Sequence, residues 1–438
     1  MVRETPAALL RAVDDAIDRD AILDTLAVLA AEPSPYGRER ATAERLAAYA
    51  AARWPELSWQ VEPLPVSDAL PDSANLVAGS ALGSGPPELL FYSHLDTSLT
   101  GAAAFDEPIT GRPEPVPALR RPAPADPEQV VDGFGLGVAR AAAAAALVGF
   151  TAAAYALRTA GQAHRLTLLL AAAGTHRNHP TGPVPGGVAH HLDHRPAPAA
   201  AVVAKSGPPG ILTAEPGAMF LRVRLATRHH PALARDTAAP PGGLILHLGP
   251  VLAALEAFRR QHLRERAGRT DQVGAEVGVG SIRAGQPGKP DLLPGQLDLH
   301  LYLVTVPGDD PAAITATLRD LLTDALRHTP LGDCRLTVDG WAVHEAAATP
   351  NDAPVSRHAH AVWLAVHGAP PAPIRGWTGS TDGVVLRGRG VPTVRLGPAP
   401  LGGDPRDPRR DRYAVTELLR FARAYAGIAV RYHTPSTE

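Results

Sequence analysis

The chain has 438 residues and a mass of 45.7 kDa, enough for one large or two medium domains with an ample core, so folding needs no disulfide or metal staple. Its 42 Lys and Arg balance 44 Asp and Glu to a formal charge of −2 without a basic block or acidic tail, which argues against nucleic acid or a membrane surface and for a small-molecule or protein partner. Cys334 is the one cysteine, which excludes an intramolecular disulfide framework and a cysteine-based zinc site.

In chain order, the N-terminal MVRETPAALLRAVDDAI carries charges where a secretory signal needs an apolar run, so a cytoplasmic protein is expected. Residues 19 to 53 read as two helices split by a Pro/Gly break from Pro33 to Gly37. LSWQVEPL and ANLVAGS read as short strands, and ELLFYSHLD as a buried strand ending in polar residues, where α/β proteins keep their sites. Residues 101 to 129 are Pro-rich and predict a surface loop. The glycine turn DGFGLG then opens an Ala-rich helix to about Ala160, whose apolar run from Ala141 to Leu157 is too short and weak to span a bilayer.

The strand HRLTLLLAAAG, the segment GGVAHHLDH and the strand AAAVVAK follow. This alternation implies an α/β domain with a mostly parallel sheet and helices on both faces. From Gly217 the order changes: strand AMFLRVRLAT, helix LGPVLAALEAFRRQHLRER, the pair VGAEVGVGSIRA and GQLDLHLYLVTV, helix PAAITATLRDLLTDALRH, and strand CRLTVDGWAV. That β-α-β-β-α-β order predicts an inserted domain over 217–346, leaving 1–216 and 347–438 to form the larger domain. A helix around Val355 to Val366, the TGSTDGVVL segment, the strand PTVRLG and a helix from about Val415 complete the chain. Only two of the basic residues are lysines, Lys205 and Lys289.

FYSHLDT, the turn GFGLG opening a helix, VGVGSIRAGQPGKPDLLP in the inserted unit and GSTDGVVLRGRGVPTVRLGP occur in a telling order. Read together, the chain resembles the di-zinc metallopeptidase family of aminoacylase, acetylornithine deacetylase, succinyl-diaminopimelate desuccinylase and glutamate carboxypeptidase. The resemblance spans almost the whole chain. It implies the family's fold, an inserted lid that also dimerises the chain into a homodimer, and an amino-acid-like or N-acylated small-molecule substrate. It also implies a metal centre of five ligands with a neighbouring carboxylate base.

Position by position, the resemblance is uneven. His94 matches the first ligand, and Asp96 the residue that buttresses it. The bridging Asp falls on Val138, with Asp132 ahead of the turn as either a substitute ligand or a turn residue. The carboxylate pair falls on Thr175 and His176, of which His176 is able to ligate a metal or shuttle a proton. The third-strand acid falls on Lys205, the late His on Pro408 and the Glu beside it on Arg412. The lid's acid and Arg fall near Tyr302 and Val304. An ammonium and a di-zinc cluster disfavour each other, so no di-zinc centre and no other cofactor is expected. Zinc stays open only through atypical ligands such as His94, Asp132 and His176, or the segment with His190, His191, Asp193 and His194.

Lys205 is then either a buried cation in the metal's place, paired with Asp96 or Asp382 or acting as base or Schiff-base amine, or an exposed loop residue as Lys289 is expected to be. The candidate catalytic residues are His94, Asp96, Lys205, His176 and Asp382. Candidates for substrate binding are Ser380, Thr381, Arg140, and the lid's His229 and His230. Three functions remain open: a metal-independent enzyme, a non-catalytic binding or partner subunit, and a metallohydrolase with atypical ligands.

Overall fold

The structure, a computed structural model, describes residues 6–111, 119–123, 129–175, 184–233, 239–401 and 410–434. Helices α1 (Pro6–Ala16), α2 (Arg19–Ala30) and α3 (Arg40–Arg53) lead into β1 (Ser58–Pro63), β2 (Ala74–Leu82) and β3 (Leu89–His94). Then come α4 (Ala103–Thr110), β4 (Val130–Phe134), α5 (Ala141–Thr159), β5 (His164–Ala171), α6 (Gly187–His194), β6 (Ala200–Ala204) and the two-residue β7 (Ala214–Glu215). The inserted unit holds β8 (Gly217–Ala226), β9 (His230–Pro231), α7 (Leu248–Arg266), β10 (Glu276–Ala284), β11 (Leu292–Leu293), β12 (Gln296–Thr305), α8 (Pro311–Leu326) and β13 (Arg335–His344). The chain returns through β14 (Ala347–Ala348), α9 (Pro354–His367), α10 (Gly383–Gly388), β15 (Thr393–Leu396), β16 (Arg410–Ala414) and α11 (Val415–His433).

The central sheet has the order β1-β2-β5-β3-β6-β15. Its β5, β3, β6 and β15 run parallel, while β2 is antiparallel to both its neighbours. Every residue of β3, β6 and β15 is buried, as a parallel sheet covered on both faces requires. The second sheet, β10-β12-β8-β13, is antiparallel throughout, with α7 and α8 packed against it around Leu221, Leu255, Phe258, Leu299 and Leu318. It is joined to the first domain where β7 pairs with β14, Glu215 opposite Ala347.

Against the sequence expectation, the Ala-rich α5 runs on to Thr159 and is by length and composition long and apolar enough to cross a membrane, alone among the described helices; it lies in the core between the sheet and α11. Its small side chains let these layers approach closely, which explains a helix apolar on all faces. It is entered through Gly135, which sits at φ +72° and whose Cβ would stand 2.8 Å from Thr97 Cγ2, so any larger residue strains the turn. A π-helical turn, Leu136–Arg140, completes the entry.

Two departures from the sequence expectations stand out. The Pro-rich stretch contains α4, whose Asp106 accepts the amides of Thr100 and Gly101 at 2.9 Å and so ties the preceding loop onto the helix. The segments VVDGF, which runs into the glycine turn, and RDRYA, which is mostly charged, pair as β4 and β16. That pairing is a long-range event with no local periodicity to announce it.

Candidate active site at the carboxyl edge of the central sheet

The parallel strands β3, β5, β6 and β15 all end at one edge, so the residues that follow them meet although they are far apart in sequence. His94 is the last residue of β3, and Lys205 directly follows β6. His94 is 1% exposed and Asp96 fully buried. Asp96 Oδ1 lies 3.0 Å from His94 Nδ1, and the two carboxylate oxygens accept the amides of Gly174 at 2.7 Å and Thr175 at 2.9 Å. A Cβ at Gly174 would lie 2.5 Å from His94 Cβ, so the turn after β5 approaches the imidazole only because it carries glycine here.

On its other side, His94 Nε2 is hydrogen-bonded to Lys205 Nζ. The tautomer follows from these partners: Nδ1–H donates to Asp96, and Nε2 accepts from the ammonium. Burial and the Lys205 charge hold His94 below its usual range, against the pull of Asp96, so the ring is neutral. Burial opposes charge on Asp96 too, but His94 and the two amides more than compensate and keep it well below the usual carboxylate range. Lys205 is half-buried, and burial plus the charge of Arg395 lower it to about 8, against the attraction of Asp96, Asp382 and Glu215.

Asp382, at the start of α10, is 6% exposed and accepts a hydrogen bond from Tyr92 Oη at 3.0 Å. Burial raises it to about 7, with the charges of Asp96 and Glu215 adding to the effect and Tyr92 and Lys205 opposing it. Glu39 is likewise fully buried and raised to about 7, first by burial and then by Asp96. It accepts from Ser73 Oγ at 2.7 Å, Gly37 N at 2.8 Å and Ala173 N at 3.1 Å. Asn75 Oδ1 takes the amide of Ala172 at 2.9 Å, so four consecutive amides of the turn, 172 to 175, are held by Asn75, Glu39 and Asp96.

The other expected residues fall differently. Lys205 pairs through hydrogen bonding with His94, rather than with Asp96 or Asp382, which act on it as neighbouring charges. Thr381 and Ser380 turn inward: Thr381 Oγ1 donates to Glu215, and Ser380 Oγ to the carbonyl of Pro216 at 2.8 Å. Arg140, expected to face substrate, is 1% exposed and instead braces the entry to α5. Its guanidinium donates to the carbonyls of Phe134 at 3.1 Å and Glu32 at 2.8 Å and to Ser34 Oγ at 3.3 Å. His230 stands in the small β9–β11 ribbon of the inserted domain with exposed His229 beside it. His176 and Pro408 lie outside the described residues.

Among the described residues, the donors around His94 do not make up the ligand set of a di-zinc centre. Asp132 stands in β4 opposite Arg412 of β16. His190 and His194 do share a face of α6, with ring centroids 4.4 Å apart, but His191 bonds Glu62 at 3.1 Å. Among the described residues no three His, Cys, Asp or Glu side chains converge to hold a metal ion. The one matched ligand atom, His94 Nε2, faces an ammonium.

Several participants were not anticipated. Tyr92 lies two residues before His94, and strand alternation places both on one face, a signal that was available in the sequence. Arg395, a charged residue inside the buried strand TVRL, was another. Glu39 and Glu215 sit in segments with no local mark.

No protein-family profile and no curated protein matches this sequence. Solved structures do match. Aminopeptidase PepT from Bacillus cereus is similar over 96% of this chain and 100% of its own, with TM-score 0.66 and 12% identity. The di-peptidase Dug1p from Saccharomyces cerevisiae is similar over 99% and 100%, with TM-score 0.67 and 10% identity. YXEP from Bacillus subtilis, a dinuclear metal binding peptidase of the M20 family, is similar over 94% and 97%, with TM-score 0.58 and 12% identity. The chain has the M20 peptidase fold. At these identities the likeness carries the architecture, an α/β domain with an inserted second domain, and function must be argued from the site.

Proposed function

We propose that this protein is a hydrolase of the M20 fold that cleaves an amide bond in an amino-acid-like or N-acylated small molecule, without a di-zinc centre. The observation that supports this reading is the contact of Lys205 Nζ with His94 Nε2, which puts a positive charge where the family's resemblance calls for a metal. The Asp96–His94 pair holds that ammonium in place, and the ammonium polarises the scissile carbonyl and stabilises its developing negative oxygen. Asp382, poised near neutrality, takes a proton from the attacking water and passes it to the leaving nitrogen as the C–N bond breaks. Residues 1–216 with 347–438 act as the catalytic domain, and 217–346 as the lid.

The lid also supports a homodimer. Its edge strand β10 leaves Val279 42% and Ile282 47% exposed, an open strand edge of the kind that pairs with another chain.

The test is hydrolysis of a panel of dipeptides and N-acyl amino acids, run beside the metal content of the purified protein. Turnover that survives chelation and is lost in Lys205→Met and His94→Ala is expected. Stoichiometric zinc with chelator-sensitive turnover would overturn the metal-free mechanism in favour of atypical ligands. Absence of turnover, with ligand-induced stabilisation that depends on Lys205, would establish a binding subunit instead.

A further inference from the structure

A buried ion cluster lies behind the candidate site, at the crossing into the inserted domain. Glu215 ends β7, the last strand before the inserted sheet, and is fully buried. Its carboxylate accepts from Arg387 Nη1, from Arg395 Nη1 at 3.3 Å and from Thr381 Oγ1. Both guanidiniums are buried as well, Arg387 at 8% exposure and Arg395 at 3%. Arg387 further donates to Thr349 Oγ1 at 3.2 Å and to the carbonyl of Thr393 at 2.9 Å.

The bonds made by this cluster reach both sides of the site. Arg395 Nη2 donates to the carbonyl of Ser206 at 3.2 Å, one residue past Lys205, and Nη1 to the carbonyl of Gly379 at 3.0 Å. Its guanidinium lies over the Trp377 ring, 5.3 Å from the centroid. Thr381, bound to the same carboxylate, immediately precedes Asp382, and its Oγ1 accepts the amide of Gly383 at 3.1 Å. Two buried arginines around one buried carboxylate depend on that carboxylate, because removing it leaves guanidiniums buried without a counter-ion.

We infer that Glu215 is a positioning residue: through Arg395 it fixes the backbone that carries Lys205, and through Thr381 the backbone that carries Asp382, so one carboxylate sets the relation of the two. The inference rests on the functional reading above for its catalytic consequence, but not for its structural one. Because Glu215 also ends the strand paired with β14, the placement of Lys205 and Asp382 is anchored to the junction with the inserted domain.

The scarcity of lysine supplies the experiment. Incorporation of lysine carrying ¹³C at Cε yields two NMR signals, from Lys205 and from Lys289; the latter is exposed and paired with Asp291, so it serves as an internal reference. In Glu215→Gln the Lys205 signal is expected to shift and broaden at fixed pH while the Lys289 signal stays in place, and kcat for the amide substrate to fall about 100-fold with KM little changed. Thr381→Val, which removes the hydroxyl's bonds to Glu215 and to the Gly383 amide but leaves the ion cluster its charges, is expected to give a smaller change in the same signal and keeps the test open should Glu215→Gln fail to fold. A lowered melting temperature with an unmoved Lys205 signal in both variants would overturn the inference. Lack of turnover in the unaltered protein sinks the hydrolytic reading, whereas the Lys205 signal still decides the positioning role.

Discussion

Asp382→Asn is expected to make this protein more stable at neutral and alkaline pH while abolishing its activity. Asp382 is buried, and its pKa is raised from 3.8 to about 7. A carboxyl whose folded pKa lies above its unfolded one holds its proton more tightly when folded. Its contribution is therefore fully present below pH 3.8 and is lost as pH rises through 7. Each pH unit across that window is worth about 1.4 kcal/mol, so by pH 8 the ionised carboxylate costs the fold about 4 kcal/mol, an upper figure because neighbouring groups relax.

Asparagine cannot ionise, is nearly the same size, and keeps an oxygen to accept the Tyr92 hydroxyl. Urea denaturation of both proteins from pH 4.5 to 8.5 checks this. The stability advantage of the variant is expected to grow by about 1.4 kcal/mol per pH unit up to pH 7 and then level off. A difference that does not change with pH, or a variant less stable at pH 8, would refute the assignment of Asp382 as a carboxyl held neutral by burial. Loss of turnover with gain of stability in the same variant would mark the residue as one kept for chemistry at the fold's expense.

Lys205→Met is expected to reduce kcat/KM by more than about 100-fold without restoration by added zinc, whereas Lys205→Arg, whose planar fork does not reproduce a compact ammonium at His94 Nε2, recovers little; steady-state kinetics with and without metal check this. Gly135→Ala is expected to lower stability by about 2 kcal/mol in thermal denaturation, from the positive φ and the approach to Thr97. Val279→Lys on the exposed edge strand is expected to shift the protein from dimer to monomer in light scattering, and an unaltered protein already monomeric at micromolar concentration would remove the proposed interface. Glu215→Gln is expected to shift and broaden the Lys205 ¹³Cε signal while that of Lys289 stays in place.

Much of the architecture is legible in the sequence. Hydrophobic alternation in AMFLRVRLAT and the 3.6-residue spacing in PAAITATLRDLLTDALRH identify β8 and α8 because each element buries one face and its period is imposed by the backbone. The order of motifs placed His94 and Lys205 at strand ends, as the structure has them. Elements defined by a partner rather than by their own pattern were not legible. β4 and β16 are strands through the hydrogen bonds each supplies to the other. Helix α4 carries a proline inside it that marks the stretch as a loop when read locally.

The sequence alone determined which chemical groups stand at the positions the resemblance marks: a histidine with its aspartate, one of only two lysines in an arginine-rich chain, and Val138, Thr175 and Lys205 where carboxylates are expected. Residue type is local information, and it was sufficient to turn the expectation away from an ordinary zinc site. Only the tertiary structure decided what those groups are bonded to. It placed Lys205 against His94 rather than against a carboxylate, turned Thr381 and Arg140 inward, and brought Glu39, Tyr92, Glu215 and Arg395 to the same edge. The physical reason is that charge and proton affinity in a buried site depend on distances of a few ångströms between residues hundreds of positions apart, and those distances exist only once the parallel strands have been laid side by side.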